Sequence, residues 1–507
     1  MGLFDNLLLG FSVAASPMNL FFCFLGVTMG TIVGILPGIG PVAGTALLIP
    51  FTFSMNPTSA IIMLAGIYYG AMYGGSITSI LVNLPGESSS VMTCLDGYQM
   101  ARNGRPGAAL GMAAFGSFIA GTLSIVGLML LSLPIIGFAL RFGPPEYFSL
   151  MVLGMTLIVA MVEDSIIKGL IAGAFGIFLG TVGIDPISGI PRFTYGVPAL
   201  LDGISFVSVS VGLFAVGEVL ETTEKSLEKT SYIDKISNLL PNLKDWKDSV
   251  LPILRGTVIG FIVGVLPGGG ATVSSVISYA TEKKLSKHPE KFGTGVIEGI
   301  AGPESANNAA TAGAYVPMLT LGVPGSATAA VLMGALLIHG LRPGPLLFER
   351  HPDFVWGFIA SMYIGNVMLL ILNLPLVGMW ARMLKIPQPV LLPLILAFSI
   401  VGVFTVNNSM VEVWIMLVFG MIGYFMRKFK FPAAPVLLAL VLTPLMETAL
   451  QQSLQMSHQH FSIFYTRPIS LIVLIIAMLF LVSPFVRYLW PKAKLRFVRK
   501  KGEVDST

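Results

Sequence analysis

Residues 34–40 read GILPGIG, and the pattern returns as GVLPGGG at 264–270, with five identities in seven positions. Each copy ends one apolar run and precedes another, so a Pro-Gly pair stands where an unbroken helix would otherwise continue. Proline removes a backbone donor and glycine admits left-handed geometry, so the pair interrupts a helix and frees N–H and C=O groups. Two further pairs keep the same order: LPGESSS (84–90) against VPGSATA (323–329), and GRPGAAL (104–110) against LRPGPLL (341–347). The three offsets of 230, 239 and 237 residues predict an internal duplication.

The medium in which those breaks lie follows from composition. Only 11% of the 507 residues are charged, 54% are hydrophobic, and the mean hydropathy is +0.84. Soluble chains carry roughly a quarter charged residues. About a dozen apolar stretches approach the roughly 20 residues that cross a bilayer. Alternation with a period of two is absent, which argues against a barrel. The expected fold is all-α: a polytopic transmembrane helical bundle, because lipid offers no partner to an unpaired backbone group. Plain hydrophobic spans near 147–162, 166–184, 199–218, 355–380, 388–404, 409–426, 432–449 and 468–486 read as scaffold. Cys23 and Cys94, the two cysteines, have no metal-ligand spacing.

Charge placement sets the expected orientation. Basic residues collect at 225–247, in TEKKLSKHPEK (281–291), at Arg427, Lys428 and Lys430, and in the tail RYLWPKAKLRFVRKK, which the positive-inside rule places in the cytoplasm. The N-terminal MGLFDNLLLGF lacks the basic region of a signal peptide. The loop after GVLPGGG is basic, whereas its counterpart after GILPGIG, FTFSMNP (51–57), is uncharged. That contrast predicts opposite insertion of the halves: two inverted structural repeats with broken helices or re-entrant hairpins, a plan recurrent in secondary transporters. Arg342 and Arg350 would then lie outside, against the rule. The expected organisation is a first repeat over 1–220, a cytoplasmic charged linker over 221–249, a second repeat over 250–486 and a basic cytoplasmic tail over 487–507.

Matched broken helices point to the binding site of a transporter, since irregular backbone at membrane depth is tolerated where it is buried in protein or lines a wet cavity. After Pro85-Gly86 a helix restarting at Ser88, Ser89 and Ser90 would turn hydroxyls and unpaired N–H groups toward one point, an arrangement suited to an anion. Pro324-Gly325 with Ser326 and Thr328 repeats it, so two such ends would face a substrate with more than one carboxylate. Asn83, Asn307 and Asn308 complete the expected substrate-binding set. Glu304 adds a carboxylate inside the apolar region, and such residues are functional hypotheses by default. Glu87 fits an anion site poorly and reads better as a cation ligand or a helix-start charge. The turns GIGP (38–41) and GGGA (268–271) are candidate cation contacts through Gly38, Gly40, Gly268 and Gly270, with Na⁺ and H⁺ both open. GGGATVSS lacks the lysine of a P-loop, and the five histidines show no zinc spacing. No organic cofactor, resident metal or nucleic-acid partner is expected. The alternatives weighed are an anion channel and a membrane-embedded enzyme; for the enzyme, no histidine lies near either Pro-Gly block in sequence.

Three blocks, GILPGIGPVAGTALLIPFTF, GIYYGAMYGGSITSILVNLPGESSSVMTCLDGYQMARNGRPGAALG and GIAGPESANNAATAGAYVPMLTLGVPGSATAAVLMGAL, resemble the large membrane subunit of tripartite tricarboxylate transporters (TctA-type), and the resemblance runs over essentially the whole chain. It implies a bacterial inner-membrane permease, not an enzyme, that imports citrate-like di- or tricarboxylates with a coupling cation, commonly by sodium symport. It also implies two partners besides membrane lipid: a small four-span membrane subunit and a periplasmic solute-binding protein that delivers the carboxylate.

Overall fold

The structure is a computed structural model that describes residues 2–36, 38–160, 165–185, 188–224, 238–268, 270–384, 386 and 388–482. Residues 225–237 of the expected linker and the whole 487–507 tail lie outside the described residues, as does the expected cytoplasmic placement of the C-terminus.

The helices are, in chain order, α1 (Leu3–Ala14), α2 (Pro17–Ile35), α3 (Gly40–Leu48), α4 (Pro57–Val82), α5 (Val91–Arg102), α6 (Pro106–Ala139), α7 (Pro144–Ala160) and α8 (Ile166–Gly180). There follow α9 (Phe206–Ser210), α10 (Gly217–Glu224), α11 (Leu243–Val265), α12 (Gly270–Leu285), α13 (Glu298–Leu321), α14 (Ala327–Ile338), α15 (Pro345–Arg350) and α16 (Pro352–Asn373). The chain continues through α17 (Val377–Met383), α18 (Gln388–Asn407), α19 (Met410–Lys428), α20 (Ala434–Met456) and α21 (Ile463–Thr466) to a last apolar helix, Pro468–Val482. A π-helical turn at Val211–Val216 joins α9 to α10. Among the described residues, nine helices are long and apolar enough to cross a membrane. The protein is therefore a helical, multi-pass membrane protein.

The span expected at 199–218 begins only at Phe206. Residues before it form a two-stranded antiparallel hairpin, β1 (Gly183–Ile184) with β2 (Pro191–Arg192), and a short 3₁₀ turn at Pro198–Leu200. Prolines without donors and Gly203 at φ 85 keep that stretch from continuing as a helix.

Contacts divide the described chain into two compact units, one of Met1–Arg141 with Ile204–Phe429, the other of Phe142–Gly203 with the residues from Lys430. In the second unit, α20 packs on α7 and α8, and Arg192 of the hairpin pairs with Glu447 of α20.

The first unit contains all four breaks, and its elements recur. The run α2, break, α3, α4, break, α5 is matched by α11, break, α12, α13, break, α14. Packing repeats with it. In α2, Gly26, Gly30 and Gly34 lie against the backbone of Met63, Ile67 and Ala71 on α4, where an added Cβ would sit 2.3, 2.5 and 2.1 Å from a carbonyl oxygen. In α11, Gly256, Gly260 and Gly264 lie against Gly302, Ala306 and Ala310 on α13, with distances of 2.3, 2.2 and 2.4 Å. Small residues every four positions let two membrane helices approach backbone to backbone, which replaces the hydrophobic drive that lipid removes. The partner helices α4 and α13 are enclosed from Ser59 to Val82 and from Gly299 to Thr320. They form the centre of the unit, and both end at a break.

Candidate functional site

At the first break of each half, Gly38 (φ 98) and Gly40 (φ 62) turn the chain into α3, and Gly268 (φ 85) and Gly270 (φ 54) turn it into α12. At the second, Asn83 closes α4 in the left-handed region (φ 59, ψ 30) and Gly322 closes α13 in the same way (φ 71, ψ 26). Pro85-Gly86 and Pro324-Gly325 follow, and their glycines fold back on the helix that ends at the first break. A Cβ on Gly86 would lie 2.0 Å from the carbonyl oxygen of Gly34, and one on Gly325 would lie 2.8 Å from that of Gly264. In the second half the two breaks also bond directly, Gly268 N–H donating to the Gly325 carbonyl at 3.0 Å.

The residue after each Pro-Gly pair caps the next helical turn. Glu87 (φ −146, ψ 167) accepts the Ser89 N–H at 2.7 Å and starts the 3₁₀ turn Ser88–Ser90, which leads into α5. Ser326 (φ −152, ψ 168) accepts the Ala329 N–H at 3.1 Å and starts α14. A side-chain acceptor here satisfies one of the orphan donors of a helix start. Glu87 is thus the structural counterpart of Ser326, a helix-start charge as one of the two sequence-based readings had it.

Each restart touches the opposite half. Ser88 is exposed, and its Oγ lies 2.9 Å from Thr272 Oγ1 at the start of α12. Ser275, one turn on, donates to the Ser89 carbonyl at 2.7 Å. In the other direction Tyr68 of α4 reaches Ser326, with 2.9 Å between the hydroxyl oxygens.

The expected substrate residues divide into two groups. Asn83 and Ser88 are exposed and Pro85 is partly exposed, while the candidate cation contacts Gly38, Gly40, Gly268 and Gly270 lie at accessible turns. Gly86, Ser89, Ser90, Pro324, Gly325, Ser326 and Thr328 are buried. The Ser89 hydroxyl donates to the Glu87 carboxylate, and that of Ser90 donates to the Glu87 carbonyl at 2.8 Å. These serines hold the turn that presents Ser88.

Asn307 and Asn308 belong to a separate network inside the bundle. Glu304 accepts from Ser76 Oγ of α4 at 2.5 Å, from Thr93 Oγ1 of α5, and from Asn307 Nδ2 at 3.2 Å. Asn308 Nδ2 donates to Ser117 Oγ of α6 at 2.7 Å and to Asn307 Oδ1 at 2.6 Å. Residues 301–315 are therefore the interior of α13, enclosed on every side.

Sequence reasoning passed over several residues that join the halves: Tyr68, Ser76, Thr93, Asp96, Thr272 and Ser275. Asp96 of α5 gathers the N–H groups of Gly293, Gly295 and Val296 at 2.8–3.0 Å and the Tyr279 hydroxyl at 2.9 Å, fixing the approach to α13. Thr272 and Ser275 had a signal, since they follow GGGA at a helix start. Among the described residues no three His, Cys, Asp or Glu side chains gather as a multidentate metal site.

Ser88 and Thr272 thus set an exposed hydroxyl pair beside two helix starts, a geometry able to donate to an anion.

Comparison with known proteins gives the setting for this geometry. The profile of a family described as "Tripartite tricarboxylate transporter TctA family" matches residues 20–438. An uncharacterized 52.8 kDa protein in the TAR-I ttuC' 3' region of Agrobacterium vitis is 47% identical over 470 residues, 93% of this chain and 94% of that protein. A second uncharacterized Agrobacterium vitis protein, in the TAR-II ttuC' 3' region, is 46% identical over 211 residues, 42% of this chain and 87% of its own length. No solved structure matches.

Proposed function

The chain belongs to the tripartite tricarboxylate transporter TctA family, and from that premise we propose that it is the large permease subunit of a cation-coupled importer of citrate-like di- or tricarboxylates. Its partners are a small four-span membrane subunit and a periplasmic binding protein that hands over the carboxylate, and its place is the bacterial inner membrane. The observation that carries this reading is the contact of each restarted helix with the opposite half, Ser88 with Thr272 and Ser326 with Tyr68 of α4. Carboxylate oxygens would accept from Ser88 and Thr272 and from the N–H groups of the adjacent helix starts. The buried residues Ser89, Ser90, Ser326 and Thr328 shape those starts. Opposite insertion of the halves would put one break pair toward each side of the membrane, and Na⁺ at the Gly38–Gly40 and Gly268–Gly270 turns is one form the coupling would take.

Uptake of labelled carboxylates into proteoliposomes holding the complete system tests the transport reading. Saturable uptake that requires the binding protein is expected; flux without saturation and without that requirement would identify a channel instead. Orientation has its own test in a background without Cys23 and Cys94. A cysteine at Ser54 should label from the periplasmic side and one at Ser286 from the cytoplasmic side. Labelling of both from one side would refute inverted halves.

A further inference from the structure

Buried carboxylates in the first unit fall into two kinds. Glu282 is held by Arg255 at 2.5 Å, Asp245 by Arg105 at 2.6 Å, and Asp96 by three backbone N–H groups. Glu304 and Glu87 differ: both are buried, and among the described residues neither has a Lys, Arg or His partner. They are neighbours through α4, where Gly75 abuts the Glu87 side chain and Ser76, the next residue, donates to Glu304.

Among the described residues, no Lys, Arg or His side chain pairs with Glu304 from the packed elements. α4 presents Tyr73 and Ser76, α5 presents Thr93 and Cys94, and the break presents Glu87. α6 contributes Ser117, and the Arg255 of α11 is already engaged by Glu282 of α12. Neutral hydroxyls and an amide stabilise an ionised carboxylate only in part, and two such groups close together in a low-dielectric interior are not both comfortable as bare anions. The donors come from α4, α5 and α13, so the charge state of one side chain bears on how the two halves pack.

We propose that Glu304, with Ser76, Thr93 and Asn307, is the binding site of a monovalent cation, a proton or Na⁺, whose charge neutralises the carboxylate during the transport cycle. This assignment rests on the transport reading and moves the coupling charge from the glycine turns to the bundle interior. A proton would add to one Glu304 oxygen, which would then donate, while the hydroxyl of Ser76 or Thr93 rotates to accept. Na⁺ would take the two carboxylate oxygens and the two hydroxyl oxygens, ligands of the hard type it prefers.

The test compares wild type with Glu304→Gln, a permanently neutral isostere, in proteoliposomes of the complete transporter. Glu304→Gln should lose the stimulation of net uptake that a pH or Na⁺ gradient gives the wild type. Which gradient drives the wild type separates the two cations. A folded Glu304→Gln that is stimulated as the wild type is overturns the proposal; folding is read from its melting curve. Should the variant not fold, Glu304→Asp serves, with stimulation retained at a shifted ion dependence; an unshifted dependence overturns the proposal. Two measurements on the purified subunit do not need transport: a rise in melting temperature on adding Na⁺, and a protonated-carboxyl band in infrared difference spectra as pH falls. One of them should be present in wild type and absent from Glu304→Gln, and neither being so overturns the site. Wild type showing no uptake or exchange would instead count against the transport reading, with these two measurements still deciding the site.

Discussion

LPGESSS at 84–90 and VPGSATA at 323–329 do the same structural work with different chemistry. In both, a left-handed residue ends a fully enclosed helix, a glycine folds back onto the carbonyl of a helix ending at the other break, and the next residue caps a new turn. Glu87 does the capping in one and Ser326 in the other, at nearly the same backbone angles. The difference is in what remains for function. Glu87 also takes up the Ser89 hydroxyl, which leaves Ser88 outward against Thr272, whereas Ser326 turns inward to Tyr68. Backbone geometry is alike in both halves while the donors differ, as expected if the geometry holds the fold and the side chains serve one particular ligand.

The most forceful way to break the match is at the glycine ladders. Gly34→Leu and Gly264→Leu should each destabilise the purified protein by about 1–3 kcal/mol or more, as overpacking does. The two should agree, because their contacts agree: an added Cβ would lie 2.1 and 2.4 Å from a carbonyl oxygen. Gly137→Leu on α6, where nothing lies within 4 Å of the new Cβ, should leave the melting temperature unchanged. A large loss for one ladder and none for the other would mean that the halves are alike in outline but not in packing.

Next in size are the hydroxyls that differ between the breaks. Removing one donor to a charged ligand costs about 1.5–3 kcal/mol, so Ser88→Ala and Thr272→Ala should each raise KM for uptake by roughly tenfold or more. Melting temperatures should hold, because Ser88 is exposed and caps nothing. Unchanged KM in both variants would remove this pair from the substrate site.

A smaller effect separates the two caps. Glu87→Ala should cost about 1 kcal/mol of stability, and Glu87→Ser should recover most of it by accepting the same N–H group. Ser326→Ala should cost a similar amount. If Glu87→Ser melts like Glu87→Ala, the equivalence with Ser326 is one of backbone only.

The contrast between the breaks also marks where reading the chain stops. The four Pro-Gly interruptions, their pairing and the restart of a helix at Ser88 were all readable, because proline and glycine impose local backbone consequences wherever they stand. The role of Glu87 was only half readable. Whether a carboxylate in a break faces a ligand or caps a turn depends on the direction of one side chain, and here it turns to the N–H and hydroxyl of Ser89. Thr93 with Glu304, Tyr68 with Ser326 and Thr272 with Ser88 join residues 184 to 258 positions apart, and no spacing rule reaches that far. Asn307 and Asn308 were readable as polar residues in an apolar region, but their burial among Glu304 and Ser117 follows from the enclosure of α13 on every side.

The smallest expected effect is the most discriminating one. Tyr68→Phe removes a single hydroxyl from an enclosed position and leaves Ser326 its cap bond to Ala329. Interhelical side-chain hydrogen bonds in membrane proteins contribute about 0.6 kcal/mol on average, far less than an overpacked glycine costs. A double-mutant cycle of Tyr68→Phe with Ser326→Ala should therefore show a coupling of about that size. The parallel cycle of Ser88→Ala with Thr272→Ala should show less in melting, because that pair is exposed and water replaces the lost contact, and more in KM, because both hydroxyls meet the same substrate. Coupling in melting at both pairs would make them two equivalent fasteners between halves. Coupling in melting at one and in KM at the other would locate the functional asymmetry of the two matched halves at Ser88 and Thr272.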